Sequence, residues 1–187
     1  HYFNFKSAER DIFFKKDFFK LYKKFCPGPI TFILKKKLKS KIQPIVSANS
    51  NTLAIRFPDH KIIRSILKKI SFPLAMPSAN VSSNVSPVCA EDVVDEFKKK
   101  IKLIIDGGKS RIGIESTVVD LTGKPNVLRP GIISSKLIHK VLKTKINILR
   151  KNLKLKSPGM LKKHYSPGIP IILNKKTNDE KFALITF

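Results

Sequence analysis

The sequence has little cysteine, few acidic residues and no long apolar run. Its two cysteines, Cys26 and Cys89, stand far apart and form no CxxC pair, so neither a disulfide framework nor a Cys/His zinc site is expected. No stretch approaches the roughly 18 apolar residues of a membrane-spanning helix, and the start, HYFNFKSAERD, lacks the apolar core of a signal peptide. We therefore expect a cytoplasmic protein. Because the chain begins without Met and stops inside KFALITF, we also expect that both ends are cut.

Acidic residues are strongly outnumbered, with 38 Lys and Arg against 13 Asp and Glu and a net charge of +25. Such a charge attracts polyanions, and nonspecific affinity for RNA would follow from it. However, 32 of these bases are Lys and six are Arg, and Lys is the commoner solvated surface charge. The Lys residues accompany many Ile, Asn and Phe, which A/T-rich codons encode, so compositional drift is an alternative explanation.

The apolar residues, 42% of the chain, are patterned as in a mixed α/β domain. The pattern predicts helices over 8–25, 59–70, 86–100 and 134–143, and strands over 30–34, 52–57, 74–76, 103–106, 117–121 and 127–129. Ser86 is expected to cap the third helix and Asp59 the second. Because these elements alternate without a strict βαβ rhythm, the sequence indicates an α/β or α+β fold with a mixed sheet.

Proline and glycine punctuation predicts a domain boundary toward the C-terminal end. Ser157-Pro158-Gly159 is followed by Ser166-Pro167-Gly168, and such clusters are typical of linkers. We expect a first domain over residues 1–150, a linker over 151–168, and the start of a second domain over 169–187.

Four segments place polar residues where a simple core would not need them. They are FCPGPITF (25–32), NTLAIRFPDH (51–60), PLAMPSANVSSNVSP (73–87) and DGGKSRIGIESTVVDL (106–121). In the second, Thr52, Ala54 and Arg56 share one strand face, where an Arg either reaches to solvent or binds an anion. The third ends at a predicted helix N-terminus, which suits phosphate, although a hydrophilic loop with an N-cap Ser is the commoner explanation of such a segment. None of the four is a Walker A loop or a GxGxxG fingerprint.

In their order along the chain, these segments resemble the threonylcarbamoyl-adenylate synthase family with its YrdC-type domain. VLRPG (127–131) and SPGMLKKHYSP (157–167) continue the resemblance, which covers residues 1–168. It implies a twisted mixed sheet with flanking helices around a large cleft, followed by a linker and a small Rossmann-like domain. The family's opening strand, its PTET-type threonine segment and its KxR motif would precede His1.

The resemblance also implies a reaction and a set of site residues. Members of the family are L-threonylcarbamoyladenylate synthases, so the resemblance implies a nucleotidyltransferase. Such an enzyme forms threonylcarbamoyl-AMP and pyrophosphate from L-threonine, bicarbonate or CO2, and ATP with Mg²⁺. The product passes to the tRNA threonylcarbamoyl-transferase machinery for t6A37 modification. Residues at threonine-site positions are His1, Arg56, Met76 and Ser116, and residues at ATP-site positions are Thr52, Ser78, Asn80, Ser86, Arg129 and Tyr165. Ser78 and Asn80 are remnants of a Lys-Arg-Ser-Asn tetrad, and neither a nucleophile nor a protein metal ligand is expected.

Three alternatives stay open at this point, one of which is a fragment that keeps the fold without catalysis. The charge is compatible with a double-stranded-RNA or tRNA-binding module without catalysis. A YrdC-like unit also occurs in carbamoyl-transfer proteins of hydrogenase maturation, although the SPGMLKKHYSP segment argues against that context.

Overall fold

A five-stranded mixed sheet organises the part of the chain that the computed structural model describes, which is residues 1–148 without Ser83. The strands are β1 (Ile30–Lys35), β2 (Thr52–Arg56), β3 (Thr117–Asp120), β4 (Asn126–Arg129) and β5 (Asn147–Ile148). The helices are α1 (Phe5–Ala8), α2 (Lys16–Phe25), α3 (Lys61–Lys69), α4 (Ala90–Phe97) and α5 (Ser135–Leu142), with 3₁₀ turns at Pro44–Ser47 and Lys98–Lys100. No helix in this part of the chain is long and apolar enough to cross a membrane.

The order of strands across the sheet is β2-β1-β3-β4-β5. β1 pairs antiparallel with β2 and parallel with β3, whereas β3 pairs antiparallel with β4, and β4 parallel with β5. The mixed α/β fold expected from the sequence is therefore confirmed, as are its strands at β1 to β4.

One face of the sheet carries the main hydrophobic core. Alternate residues of β1, namely Ile30, Phe32 and Leu34, point into it because strand side chains alternate between faces. Helices α2 and α5 cover this face, and Phe18 of α2 meets Phe32 edge-on with ring centroids 5.0 Å apart. The opposite face has only a small buried cluster of Ile33, Val118 and Leu128. It is on this second face that polar residues gather.

Residues 71–114, here called the connecting segment, contrast with the rest of the described chain, which we call the sheet body (1–70 and 115–148). The connecting segment contains α4, which buries no residue, and one 3₁₀ turn. Its exposed large apolar residues are Phe72, Val81, Val85, Val94, Ile101, Leu103, Ile105, Ile112 and Ile114. The strands predicted at 74–76 and 103–106 are absent, so both predictions are wrong. Each stretch has strand-like composition, but neither finds a ladder partner within the described residues.

Three helix predictions also needed correction. Of the helix predicted over 8–25, only α2 and the last residue of α1 are helical, because residues 9–11 form turns and Ile12 forms an isolated bridge with Lys36, just after β1. Asp59 does not cap α3, whose N-cap is His60. Ser86 does not cap α4, whose N-cap is Cys89, and the Ser86 hydroxyl donates instead to Glu115.

Candidate functional site

A row of polar side chains crosses the second face of the sheet near one end of its strands. Thr31 of β1 lies opposite Arg56 of β2 and also opposite Val118 of β3, which in turn lies opposite Arg129 of β4. The pairing therefore places Arg56 and Arg129, which are far apart in sequence, in one row on the same face of the sheet, with β1 and β3 between their strands. Ser116, just before β3, lies between the two arginines, where its hydroxyl contacts Thr31 and accepts a hydrogen bond from Arg129.

A β-bulge puts Arg129 on this face. Val118 pairs with Arg129, but the next residue, Val119, pairs with Val127, so Leu128 is an extra residue in β4. Such a bulge breaks the strict alternation of side chains. Leu128 packs into the small cluster with Val118, and the Arg129 side chain reaches Ser116 on the same side.

Arg129 is held by three hydrogen bonds from its guanidinium. Nε donates to the Ser116 carbonyl oxygen at 3.1 Å, Nη2 donates to Ser116 Oγ at 3.0 Å, and Nη1 pairs with the carboxylate of Glu115. Ser116 Oγ lies 2.8 Å from Thr31 Oγ1, and either hydroxyl is able to donate. Because a guanidinium has five N–H groups, two of those of Arg129 remain for a ligand.

Arg56 is the second guanidinium of the site. Its Nε donates to the Gly28 carbonyl oxygen at 3.2 Å. Burial lowers the pKa of Arg56, the nearby charge of Arg129 lowers it further, and the Glu115 carboxylate partly opposes them. Two half-buried guanidinium groups that repel each other form a site where an anion is favoured.

Cys26 contacts the same region without the properties of a nucleophile. Burial raises the pKa of its thiol to about 12, and the charge of Arg56 only partly offsets this. The thiol is therefore protonated at neutral pH, and the thiolate is the reactive form.

Of the other residues at predicted threonine-site positions, His1 lies beside Arg56. Tyr2 N donates to the Arg56 carbonyl oxygen at 3.0 Å, which places His1 next to the end of β2. The backbone nitrogen of His1 donates to the Leu74 oxygen at 2.6 Å, and half-buried Met76 follows two residues later. His1 Nδ1 is buried and has no hydrogen-bond partner among the described residues. His1, Arg56 and Ser116 thus belong to one region of the molecule.

The residues at predicted ATP-site positions are more dispersed. Thr52 is four positions before Arg56 on β2, roughly 13 Å along the strand, and its Oγ1 lies 2.9 Å from Ser50 Oγ. Ser78 is exposed. Asn80 Nδ2 donates to the carbonyl oxygens of Val81 and Asn84, whereas its buried Oδ1 has no partner among the described residues.

The Ser86 hydroxyl donates to the carboxylate of Glu115, which also pairs with Arg129. Tyr165 lies outside the described residues. The predicted linker and second domain, 151–168 and 169–187, lie outside them too. Within the described residues, no three His, Cys, Asp or Glu side chains come together as a group that could hold a metal ion.

Sequence reasoning missed the roles of Glu115 and Thr31. Each lies within a segment that the motifs single out, but a role in the site depends on partners that strand register and the bulge bring near. No local pattern carries that information.

Family models match two consecutive parts of the chain. Residues 1–131 match Sua5_yciO_yrdC, described as "Telomere recombination", and residues 133–185 match Sua5_C, described as "Threonylcarbamoyl-AMP synthase, C-terminal domain". The first match ends at residue 131 and the second begins at residue 133, whereas the linker is predicted over 151–168. The bounds of the linker stay a prediction.

Individual relatives and a solved structure agree with the family models. The chain is 40% identical to threonylcarbamoyl-AMP synthase of Pyrococcus abyssi, over 86% of this chain and 48% of the relative. It is 38% identical to threonylcarbamoyl-AMP synthase of Bacillus subtilis, over 82% and 45%. The crystal structure of P. abyssi Sua5 complexed with L-threonine superposes with a TM-score of 0.81 at 37% identity, over 87% of this chain and 49% of that one. The chain spans about half the length of the curated relatives it matches.

Proposed function

This chain belongs to the Sua5/YciO/YrdC family, as its motifs predicted, and we propose that the protein containing it is an L-threonylcarbamoyladenylate synthase. The enzyme would be a nucleotidyltransferase that forms threonylcarbamoyl-AMP and pyrophosphate from L-threonine, bicarbonate or CO2, and ATP. The names of its relatives support this assignment, as does the L-threonine complex of the P. abyssi protein.

The observation that carries the proposal is the pair of guanidinium groups around Ser116. Arg56 has one bond to a backbone carbonyl and faces the same surface as Arg129. Its charge suits the carboxylate of threonine, with His1, Met76 and Ser116 nearby. The unused N–H groups of Arg129 suit the nucleotide, to which Thr52, Ser78, Asn80 and Ser86 would also contribute.

In the proposed reaction, the amine of threonine combines with bicarbonate or CO2 to give a carbamate. A carbamate oxygen then attacks the α-phosphate, the bond from that phosphorus to the bridging oxygen breaks, and pyrophosphate leaves. Negative charge grows on the phosphate oxygens during this step, so prearranged cations and N–H donors stabilise the transition state. The arginines and backbone amides supply such groups, and the role of the protein is mainly to position the reactants.

We propose that Mg²⁺ enters with ATP, bound to the triphosphate, whose oxygens are the hard ligands it prefers. Ser78 and Asn80 would lie near these phosphates as the remaining half of the tetrad.

The fate of the product follows from its chemistry. A mixed anhydride of a carbamate and AMP is readily hydrolysed, so a cytoplasmic transferase that modifies tRNA at t6A37 would have to receive it quickly. Closure by Tyr165 would protect it, and this role stays a prediction from the family resemblance.

The match of residues 133–185 to a threonylcarbamoyl-AMP synthase C-terminal domain favours this function over a carbamoyl-transfer role in hydrogenase maturation. An RNA-binding role without catalysis gains no support from the site, because its paired arginines are half-buried rather than displayed on a basic face.

Pyrophosphate release by the full-length protein tests the proposal. We expect release from ATP only when threonine and bicarbonate are both present, and adenylate product should appear in equal amount. ATP consumption at the same rate without threonine would contradict the assignment.

A further inference from the structure

We propose that Glu115 is a positioning residue that fixes Arg129 and Ser86 in one arrangement for binding the nucleotide. This inference rests on the proposed function, because it concerns how the ATP side of that site is assembled.

The two oxygens of the Glu115 carboxylate bond to different parts of the molecule. Oε2 pairs with Nη1 of Arg129, and Oε1 accepts from the Ser86 hydroxyl at 3.2 Å. The side chains of Arg129 and Glu115 are 15% and 24% exposed, so water competes for this ion pair less than on an open surface. A single carboxylate thus connects two residues that both lie at predicted nucleotide positions.

Arg129 and Ser86 come from two regions that differ in how well they are packed. Arg129 lies at the end of β4, within the sheet body, whereas Ser86 lies in the connecting segment, whose helix α4 buries no residue. Few of the described hydrogen bonds tie that segment to the body. Besides Ser86 to Glu115, they include the backbone pair of His1 with Leu74 and the contact of His60 Nε2 with the Gly107 oxygen at 3.0 Å. Glu115 therefore makes the bond that holds the Ser86 loop against the arginine.

Charge gives Glu115 a second effect. Arg129 and Arg56 repel each other, and the Glu115 carboxylate offsets that repulsion. Without it, the Arg129 guanidinium would lose one of its three anchors and turn away from its like-charged neighbour. The ATP side would then be disordered more than the threonine side, because Arg56 has its own anchor on Gly28.

The test compares Glu115→Ala, Glu115→Gln and a control, Asp17→Asn, in the full-length protein. Glu115→Gln keeps an acceptor oxygen and the side-chain volume but loses the charge. Asp17 is also a carboxylate paired with a cation, Lys20, at 3.4 Å, but it lies on the surface of α2 away from the site. The control thus changes net charge equally.

We expect Glu115→Ala to raise the ATP concentration for half-saturation by about tenfold or more, and the threonine concentration by less than about threefold. Glu115→Gln should lie between Glu115→Ala and the wild type, and Asp17→Asn should equal the wild type. In the ligand-free protein, amides of residues 84–89 should exchange hydrogen faster in Glu115→Ala than in Asp17→Asn. A role in folding alone would move both half-saturation values together.

Equal effects on ATP and threonine, or an unchanged ATP requirement in both Glu115 variants, would overturn the inference while leaving the proposed function intact. If Glu115→Ala does not fold, the same comparison of ATP and threonine half-saturation in Glu115→Gln tests the inference. A wild-type protein without threonine-dependent pyrophosphate release would overturn the proposed function. Hydrogen exchange is measured without turnover, so it tests the link between Glu115 and Ser86 whether or not the proposed function is right. Unchanged exchange over 84–89 in the folded Glu115 variants would refute that link.

Discussion

The sheet body and the connecting segment use their apolar residues in opposite ways. In the sheet body, Phe18, Phe32 and Phe57 are fully buried in one continuous cluster. In the connecting segment, Leu103 is 75% exposed and α4 buries no residue. The predicted threonine side of the site lies mainly on the first region, with Arg56 and Ser116, and much of the ATP side lies on the second. The candidate site is therefore assembled from two regions with unequal packing, so the binding of the two proposed substrates should respond differently to mutations.

The largest expected effect tests the packing difference with two identical substitutions. Leu21→Ala should lower the free energy of unfolding by about 2–5 kcal/mol, because it leaves a cavity beneath α2 where Leu21 is fully buried. Leu103→Ala should change it by less than about 0.5 kcal/mol in this chain. Urea unfolding of both variants measures the two values. A cost at Leu103 equal to that at Leu21 would show that residues 101–105 are packed.

The next prediction separates the substrates. Arg56→Ala should raise the threonine requirement about 10- to 150-fold, the cost of one charge-assisted contact, and should affect ATP much less. Arg129→Ala should show the reverse preference. Steady-state pyrophosphate release at varied threonine and varied ATP in the full-length protein gives both values. Identical profiles for the two variants would refute the division of the site.

A third pair of substitutions compares how tightly a glycine is enclosed in each region. A Cβ at Gly131 would lie 2.6 Å from backbone atoms of Glu115 and Thr117, which are unable to move independently of β3. Gly131→Ala should therefore cost about 1–3 kcal/mol. A Cβ at Gly107 would lie 2.8 Å from the exposed His60 ring, which turns aside only by giving up its hydrogen bond to the Gly107 oxygen. Gly107→Ala should therefore cost less than Gly131→Ala, about 1 kcal/mol or below, as thermal unfolding would measure. Equal costs would contradict the comparison.

The smallest expected effect is a pH dependence. Burial raises the pKa of Cys26 to about 12, above the value of about 8.5 in an unfolded chain. The folded state therefore keeps a proton that the unfolded state loses, and the stability from this group falls as pH rises from about 8.5 toward 12. Over this range the free energy of unfolding should fall by on the order of 1 kcal/mol per pH unit.

Urea unfolding at pH 8 and pH 10 measures this slope. Cys26→Ser should make the decline shallower than in the wild type. Cys89→Ser should change it less, because Cys89 caps α4, where no residue of the helix is buried. A decline that is unchanged in Cys26→Ser would rule out this thiol as its source.

Much of the fold was predictable because local pattern and tertiary partner agree in the sheet body. The β1 residues ITFIL are β-branched and apolar, and the structure supplies a strand on each side. The stretch LIID at 103–106 has a similar composition, but composition does not supply a neighbour, and no strand forms there. The sequence also placed Arg56 on one strand face with Thr52 and Ala54. It did not reveal that Glu115 joins Arg129 to Ser86, because a bond across 29 residues depends on register and not on spacing.

The extra residue in β4 has a consequence for transplanting or redesigning this site. On a regular antiparallel ladder that keeps Val127 opposite Val119, Leu128 would lie opposite Val118 and Arg129 opposite Thr117, so alternation would turn the arginine toward the other face of the sheet. Deleting Leu128 would remove the bulge and leave Arg129 opposite Val118, but it would also remove a buried residue. A designer who keeps the full length of β4 must therefore copy the irregularity of its backbone, and an alignment to a regular strand that leaves no one-residue gap here would misplace the charge.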